Sequence, residues 1–326
     1  MSSNTAKAAS KRKKHSHGDH GADKAFRIVA TGAGVLILAV LAAVAVFLLV
    51  MAMPVFSGDQ SKVEETIDSF TNGSAHNIWQ YVAPLVFGTV LAAALALLLA
   101  FFIAIGIALF ISQYAPKKLA TALNYVIDLL AAIPSVVYGL WGGLVLVPHI
   151  YGFWQWVNRY FGWIPLFGSD SQGNIANPPR TIATVSLVLA VMILPIITSM
   201  SRDVFVRAPR LQQEAALALG ATKWEMIKLA VLPFGRSGVV SASMLGLGRA
   251  LGETMAVMMI LSPSPTFSWH LLLASQQQTI AANIAAQFAE SNSLGVSVLI
   301  ASGLVLFIIT FIVNFVARKL TDKEVK

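Results

Sequence analysis

The chain has 326 residues, 56% of them hydrophobic and 12% charged, with a formal net charge of +8 and a mean hydropathy of +0.72. Soluble domains carry about 25% charged residues, so the polar side chains here must be confined to short stretches between long apolar runs, which excludes a soluble globular or disordered protein. The absence of cysteine removes thiolate metal sites, disulfides and cysteine nucleophiles, and the absence of any Gly-Lys dipeptide removes the phosphate-cradling loop GxxxxGK[ST], so ATP chemistry has to belong to a partner.

In chain order, residues 1–27 form a basic tail, with Lys11, Arg12, Lys13 and Lys14 followed by His15, His17 and His20. Its composition reads as a solvated, disordered cytoplasmic segment that helps hold the first span, and the net charge asks for no nucleic-acid partner. Residues 28–326 read as an all-α transmembrane domain. Six runs are long and apolar enough for a bilayer core about 30 Å thick: Ile28–Met53, Leu85–Ile111, Tyr125–Val147, Thr181–Met200, Val239–Leu261 and Leu294–Ala317. The first run is too long for a cleaved signal peptide and is expected to be retained.

Lys and Arg counts give the orientation, because positively charged short loops stay in the cytoplasm. With the N-terminus inside, the cytoplasmic segments hold seven (Lys7 to Arg27), two (Lys117, Lys118), five (Arg202, Arg207, Arg210, Lys223, Lys228) and four (Arg318, Lys319, Lys323, Lys326), against Lys62, Arg159 and Arg180 outside. Eighteen against three places both termini in the cytoplasm. Trp79, Trp154, Trp156, Trp163 and Trp269 then fall in the outer loops, where indoles favour the interface. Also outside, Ser61 and Glu64 have capping-box spacing for a short helix over Ser61–Phe70, and Ser169–Pro179 reads as a loop. Asp128 follows Lys117 and Lys118 and is read as a structural carboxylate near a positive helix N-terminus. Pro134, Pro148 and Pro195 interrupt or end helices.

The cytoplasmic stretch of about residues 202–235 reads as two short helices. Pro209 suits the first residue of a helix whose Leu211, Ala215, Ala218 and Leu219 share a face, and Gly220 supplies its left-handed cap. Thr222 and Glu225 form a capping box for the second helix, with Pro233 at its stop. Such an elbow presents a compact knob to a cytoplasmic partner, or merely connects two spans. In the fifth span Arg249 sits about 15 Å from the start, at 1.5 Å per residue, with Glu253 one turn on. Central charges cost about 2.5–3.5 kcal/mol on insertion scales, so both must face protein or a water-filled path. One reading is a self-neutralising pair. The other is an anion site on Arg249 kept weak by Glu253, since transport requires entry without trapping. Gly248 and Gly252 make a GxxxG pair for close helix packing, and Gly246 adds room.

Glu214, Ala215, Ala216, Gly220, Leu232 and Pro233 together resemble the EAA loop by which ABC importer permeases dock into their ATPase, with Ala230 where that pattern has Ile. The longer run EAALALGATKWEMIKLAVLPFGRSGVVSASMLGLGRALGETMAV (Glu214–Val257) and LAAIPSVVYGLWG (Leu130–Gly142) resemble PstC-type permeases of phosphate-specific ABC importers. The resemblance covers most of the chain beyond the tail. It implies a type I ABC importer permease fold, a role for Arg249 and Glu253 in phosphate translocation, and ATPase coupling through the Glu214–Pro233 residues. Its implied partners are a homologous PstA-type permease, two PstB-type ATPase subunits that use ATP and Mg, a PstS-type extracytoplasmic phosphate-binding protein, and membrane lipid. No cofactor is expected on this chain, which is a transport subunit and no enzyme. Another solute such as sulfate or molybdate, or the PstA-type position, is the alternative. A membrane enzyme is disfavoured because His76, His149 and His270 all fall in or beside outer loops.

Overall fold

The computed structural model describes residues 20–322, all helices and loops, with no strand among the described residues. The basic run Lys11–Lys14 and the termini lie outside them. Two compact units are distinguished, residues 1–50 and 51–326. The first helix, α1 (His20–Ser57), crosses from one into the other, and it begins earlier than expected, so residues 20–27 are helical. Among the described residues five helices are long and apolar enough to cross a membrane, and a sharply bent helix pair meets the same criteria together, for up to six spans.

Within the second unit α2 (Gln60–Thr71) is a short amphipathic helix. Its N-cap is Asp59, which accepts from the Ser61 amide at 3.1 Å, in place of the expected Ser61; the carboxylate two residues earlier takes the orphan N–H. Ala52 and Val55 at the end of α1 pack with Val63 and Ile67 of α2 and with Tyr81, Val82 and Leu85 of α3 (Ile78–Tyr114). α3 starts from Asn77, whose side chain accepts from the Gln80 amide, and closes in a π-helical turn, Phe110–Tyr114.

The centre of the unit is α7 (Ile182–Val206), 72% buried along its most apolar window. It lies against α3 through the alanines Ala92, Ala93, Ala96, Ala100 and Ala104, each at most 1% exposed. In lipid the tails are as apolar as the helices, so association depends on close van der Waals contact, and alanine lets the backbones approach. Trp154, on α6 (Tyr151–Phe161), joins this core: its indole donates to Thr184 Oγ1 at 2.9 Å. It was expected at the lipid interface, but the buried Thr184 hydroxyl gives its N–H a partner inside the protein.

The third span is the largest departure. The expected run Tyr125–Val147 is two helices, α4 (Lys117–Ala131) and α5 (Ser135–His149), bent by 89°. Pro134 lacks an N–H and disfavours helix at Ile133, so the chain turns there. The Tyr138 hydroxyl donates to the Leu130 carbonyl at 2.9 Å and so satisfies one end of the interrupted helix. α4 therefore starts well before Tyr125, and Asp128 sits in its last turn, not at a positive N-terminus. Asp128 instead accepts from Ser199 Oγ at 3.0 Å and lies 3.9 Å from Arg202 Nη1. Arg202, counted among loop charges above, is a buried residue of α7.

Candidate functional site

The fifth span is interrupted as well. α9 runs from Lys223 to Leu251, and after Gly252, Glu253 and Thr254 a short α10 (Met255–Ile260) follows. Glycines at 246, 248 and 252 lower helix propensity by about 1 kcal/mol each relative to alanine. Glu253 then makes the interruption favourable: its Oε1 accepts the Ala256 amide at 3.1 Å, so the carboxylate caps the helix that follows. The residue is 7% exposed, and a carboxyl group so buried requires such a donor. Arg249 lies in the last turn of α9, not in the middle of an unbroken helix.

Because the helix stops between them, Arg249 and Glu253 do not share a helical face, and no ion pair joins them. The Arg249 side chain makes no hydrogen bond or ion pair with any described residue of this chain, and the residue is half-buried. The α5 wall holding Tyr138 is pressed against the interruption: a Cβ on Gly139 would lie 2.8 Å from the Ala256 Cα, and one on Gly142 would lie 2.6 Å from Ile260 Cδ1. The two broken spans therefore meet, with Tyr138 at one bend and Glu253 at the other. Tyr138 was legible only as part of the Leu130–Gly142 run and not as an individual site residue.

The glycines divide differently from the GxxxG pattern. A Cβ on Gly248 meets nothing within 4 Å, and one on Gly252 meets only the Gly248 carbonyl at 3.7 Å. Within this chain the close packing falls to Gly246, whose Cβ would touch Ile197, and to Gly235 and Gly238, which face Phe205 and Val204.

The elbow between α7 and α9 is built as two short helices. α8 (Arg210–Ala218) follows Pro209, which occupies the N-cap position, and Gly220 closes it with φ +87. Thr222 and Glu225 form the reciprocal capping box, with Glu225 Oε2 accepting the Thr222 amide at 2.7 Å. Pro233 does not stop the second helix. That helix is the first part of α9 itself, continued through a π-helical turn, Ile227–Val231, and Pro233 falls in the first turn after that, where a missing N–H is tolerated. The inward side of the elbow, Ala216, Met226, Ile227, Val231 and Leu232, packs on Ala108, Leu109, Phe205 and Ala208. Ala230 is also buried. Lys223 Nζ lies 4.6 Å from the Tyr114 ring centroid, tying the elbow to the end of α3. The outward side leaves Leu211 79% and Leu219 90% exposed, and Glu214 and Ala215 face outward with them. The elbow thus carries an exposed apolar rim on a base anchored in the core.

No group of three or more metal-ligating side chains occurs among the described residues. What the broken spans hold is a guanidinium without an ion-pair partner among the described residues, in the last turn of α9, and a backbone-bonded carboxylate just after it.

The family described as "Binding-protein-dependent transport system inner membrane component" matches residues 104–322, and the chain belongs to it. With its five or six spans it is a multi-pass integral protein of the plasma membrane. It is 43% identical over 306 residues to the phosphate transport system permease protein PstC 2 of Mycobacterium tuberculosis, with 93% of each chain covered. It is 44% identical to PstC of Mycobacterium leprae, covering 86% of this chain and 87% of that one, and 39% identical to PstC of Xylella fastidiosa, covering 94% of both. Among solved structures, one chain of the inward-facing MetNI methionine ABC transporter superposes with a TM-score of 0.51 at 14% identity, covering 75% of this chain and 96% of that chain. That likeness shows the fold, a type I ABC importer permease.

Proposed function

We infer that this chain is the transmembrane permease subunit of an ATP-driven ABC importer and that its solute is inorganic phosphate. The relatives just described carry that name at 39–44% identity over most of both chains. The observation that carries the site assignment is the unpaired Arg249 at the end of α9, facing the junction of two broken spans while Glu253 is held by the Ala256 amide. A phosphate dianion gains a charge-assisted contact from the guanidinium, and the nearby carboxylate keeps that contact weak enough for release.

The remaining assembly follows from chemistry that this chain lacks. With no phosphate-cradling loop it cannot hold ATP and Mg, which belong to two copies of a PstB-type ATPase docked on the Glu214, Ala215, Ala216, Gly220, Leu232 and Pro233 elbow. A homologous PstA-type permease closes the pathway, and Gly248 and Gly252 give that partner room for close approach. A PstS-type extracytoplasmic binding protein delivers phosphate, and no cofactor is held by this chain. Both termini lie in the cytoplasm, as the Lys and Arg distribution requires.

The test is phosphate uptake into vesicles containing this chain, its permease partner, the ATPase and the binding protein, with sulfate and molybdate as competitors. ATP-dependent uptake of phosphate that excess sulfate leaves intact is expected. Preferential uptake of sulfate or molybdate would reassign the solute.

A further inference from the structure

A polar seam between α4 and α7 takes no part in the site described so far. Asp128 accepts from Ser199 Oγ at 3.0 Å and lies 3.9 Å from Arg202 Nη1, while Arg202 Nε and Nη2 hold Asp203 Oδ1 at 2.9 and 2.6 Å. Arg202 Nη2 also reaches Ser199 Oγ at 3.4 Å. Arg202 is only 8% exposed. Three buried side-chain polar atoms on these helices have no hydrogen-bond partner: Ser201 Oγ and Arg202 Nη1 on α7, the latter a donor only, and Asn124 Oδ1 on α4, an acceptor.

The placement of Arg202 and Asn124 is complementary. α3 ends with Leu109 packed on Phe205 and Ala208, so α4, which starts at Lys117 just beyond, begins beside the end of α7. Asp128, further along α4, meets Ser199, further back on α7, so the two helices run antiparallel. Asn124 is one turn before Asp128 on the same face of α4 and therefore lies toward Arg202. Arg202 thus has two acceptors on α4 a turn apart, a carboxylate that is engaged and an amide oxygen that is vacant. Leaving a buried donor and a buried acceptor without partners is costly in any protein and more so within a bilayer.

α4 is free to use both. Only Ile127 of its residues is buried, the 89° bend separates it from α5, and the π-helical turn Phe110–Tyr114 before it can take up slack. We propose that Asn124 and Arg202 are positioning residues for transport: α4 slides one turn along α7 during the cycle, and Arg202 exchanges Asp128 for Asn124. Asp128, whose side chain is already 55% exposed, is rehydrated when released. The displacement reaches the transport site through Ala132–Pro134 and α5, whose Gly139 abuts Ala256 directly behind Glu253. One-turn ratchets between packed elements are a known form of switching. The proposal rests on the chain being a transport subunit and does not depend on the role of Arg249.

The chain has no cysteine, so spin labels can be placed without background. Labels at Lys118→Cys and Val191→Cys, both exposed, lie about 27 Å apart along the shared axis at 1.5 Å per residue. Their separation is read by pulsed electron resonance in the assembled importer, without nucleotide and with ATP bound. A change of about 5 Å, one helical pitch, is expected. Asn124→Leu removes an atom that has no partner in this structure, so the complex should assemble, the distance change should vanish and uptake should fall at least tenfold. Asn124→Ala serves if the leucine is too large. A purely structural Asn124 predicts unaltered uptake. A static distance in a labelled parent that transports phosphate overturns the proposal, as does a shift or full uptake that survives in the Asn124 variants. Absence of uptake in the parent itself would instead remove the transport reading.

Discussion

Arg249 and Glu253, four residues apart, make no ion pair: the helix stops at Gly252, and the Glu253 carboxylate turns to the Ala256 amide 3.1 Å away. A self-neutralising pair inside a helix would satisfy itself and offer a solute nothing. Separating the two leaves the guanidinium with unfilled donors in a setting where an unpaired charge costs about 2.5–3.5 kcal/mol on insertion scales. Under the proposed function, a passing phosphate relieves that cost.

The separation sharpens the expected behaviour of variants. Arg249→Leu orphans no partner, because Glu253 is capped from the backbone, so the complex should assemble at the parent level while phosphate uptake falls by two orders of magnitude or more. Glu253→Gln keeps an acceptor for the Ala256 amide and should also assemble, whereas Glu253→Leu loses the cap, at about 1 kcal/mol. Uptake at matched assembly by the Arg249→Leu, Glu253→Leu double variant is the deciding measurement. Recovery to near the parent rate would mean that the charges are structural after all.

The contrast between neighbouring glycines in α5 gives a second prediction. A Cβ on Gly139 meets the Ala256 backbone at 2.8 Å, which cannot move without disturbing the Glu253 cap, whereas a Cβ on Gly142 meets the far end of the Ile260 side chain, which can turn aside. Gly139→Ala should cost about 1–3 kcal/mol of stability, the usual range for overpacking. Gly142→Ala should cost less. Thermal unfolding of the purified complex ranks the two, and equal midpoints would mean that α5 does not press on α10 as described.

Much of this architecture was legible in the sequence, and the exceptions share a cause. Apolar run length located the long helices, though not the ends or breaks of the third and fifth, and the elbow was readable to its caps because Thr222, Glu225 and Gly220 act within a few residues of themselves. The breaks were not readable: Pro134 announces only an interruption, and whether it yields a kink or an 89° turn depends on Tyr138 reaching back to Leu130. Likewise Glu253 ends α9 only because Ala256 presents an amide to it. Arg202 counts as a loop cation until α4 brings Asp128 across to it from more than seventy residues away in sequence. Hydrophobic patterning records what faces lipid. It carries no signal for polar contacts made across the fold.

The elbow predicts a separation of docking from folding. Gly220 has φ +87 and open space around its Cβ position, so Gly220→Val is penalised by backbone conformation alone. The chain should insert normally because the core beneath the elbow, Met226, Ile227 and Phe205, is untouched. Copurification with the ATPase should be lost. Replacing Leu219, 90% exposed, with Asp should do the same without altering the backbone. Retention of ATPase and full uptake in both variants would show that this knob is not where the ATPase docks.

The last prediction concerns which side of the membrane each element occupies, on which the whole mechanism depends. With Arg202 assigned to α7, the Lys and Arg of the loops and tails divide seventeen against three, a distribution that predicts cytoplasmic termini and a cytoplasmic elbow. Cysteines placed singly at Ser10 and Thr321 in this cysteine-free chain should resist an impermeant thiol reagent in intact cells and react once the membrane is permeabilised. A cysteine at Ser171, in the loop between α6 and α7, should react in both conditions, because three further spans separate it from the C-terminus and only an odd number of crossings puts it outside. If Ser10 or Thr321 is labelled in intact cells, the elbow could not meet a cytoplasmic ATPase, and the coupling assignment of Glu214 and Gly220 would fall with the topology.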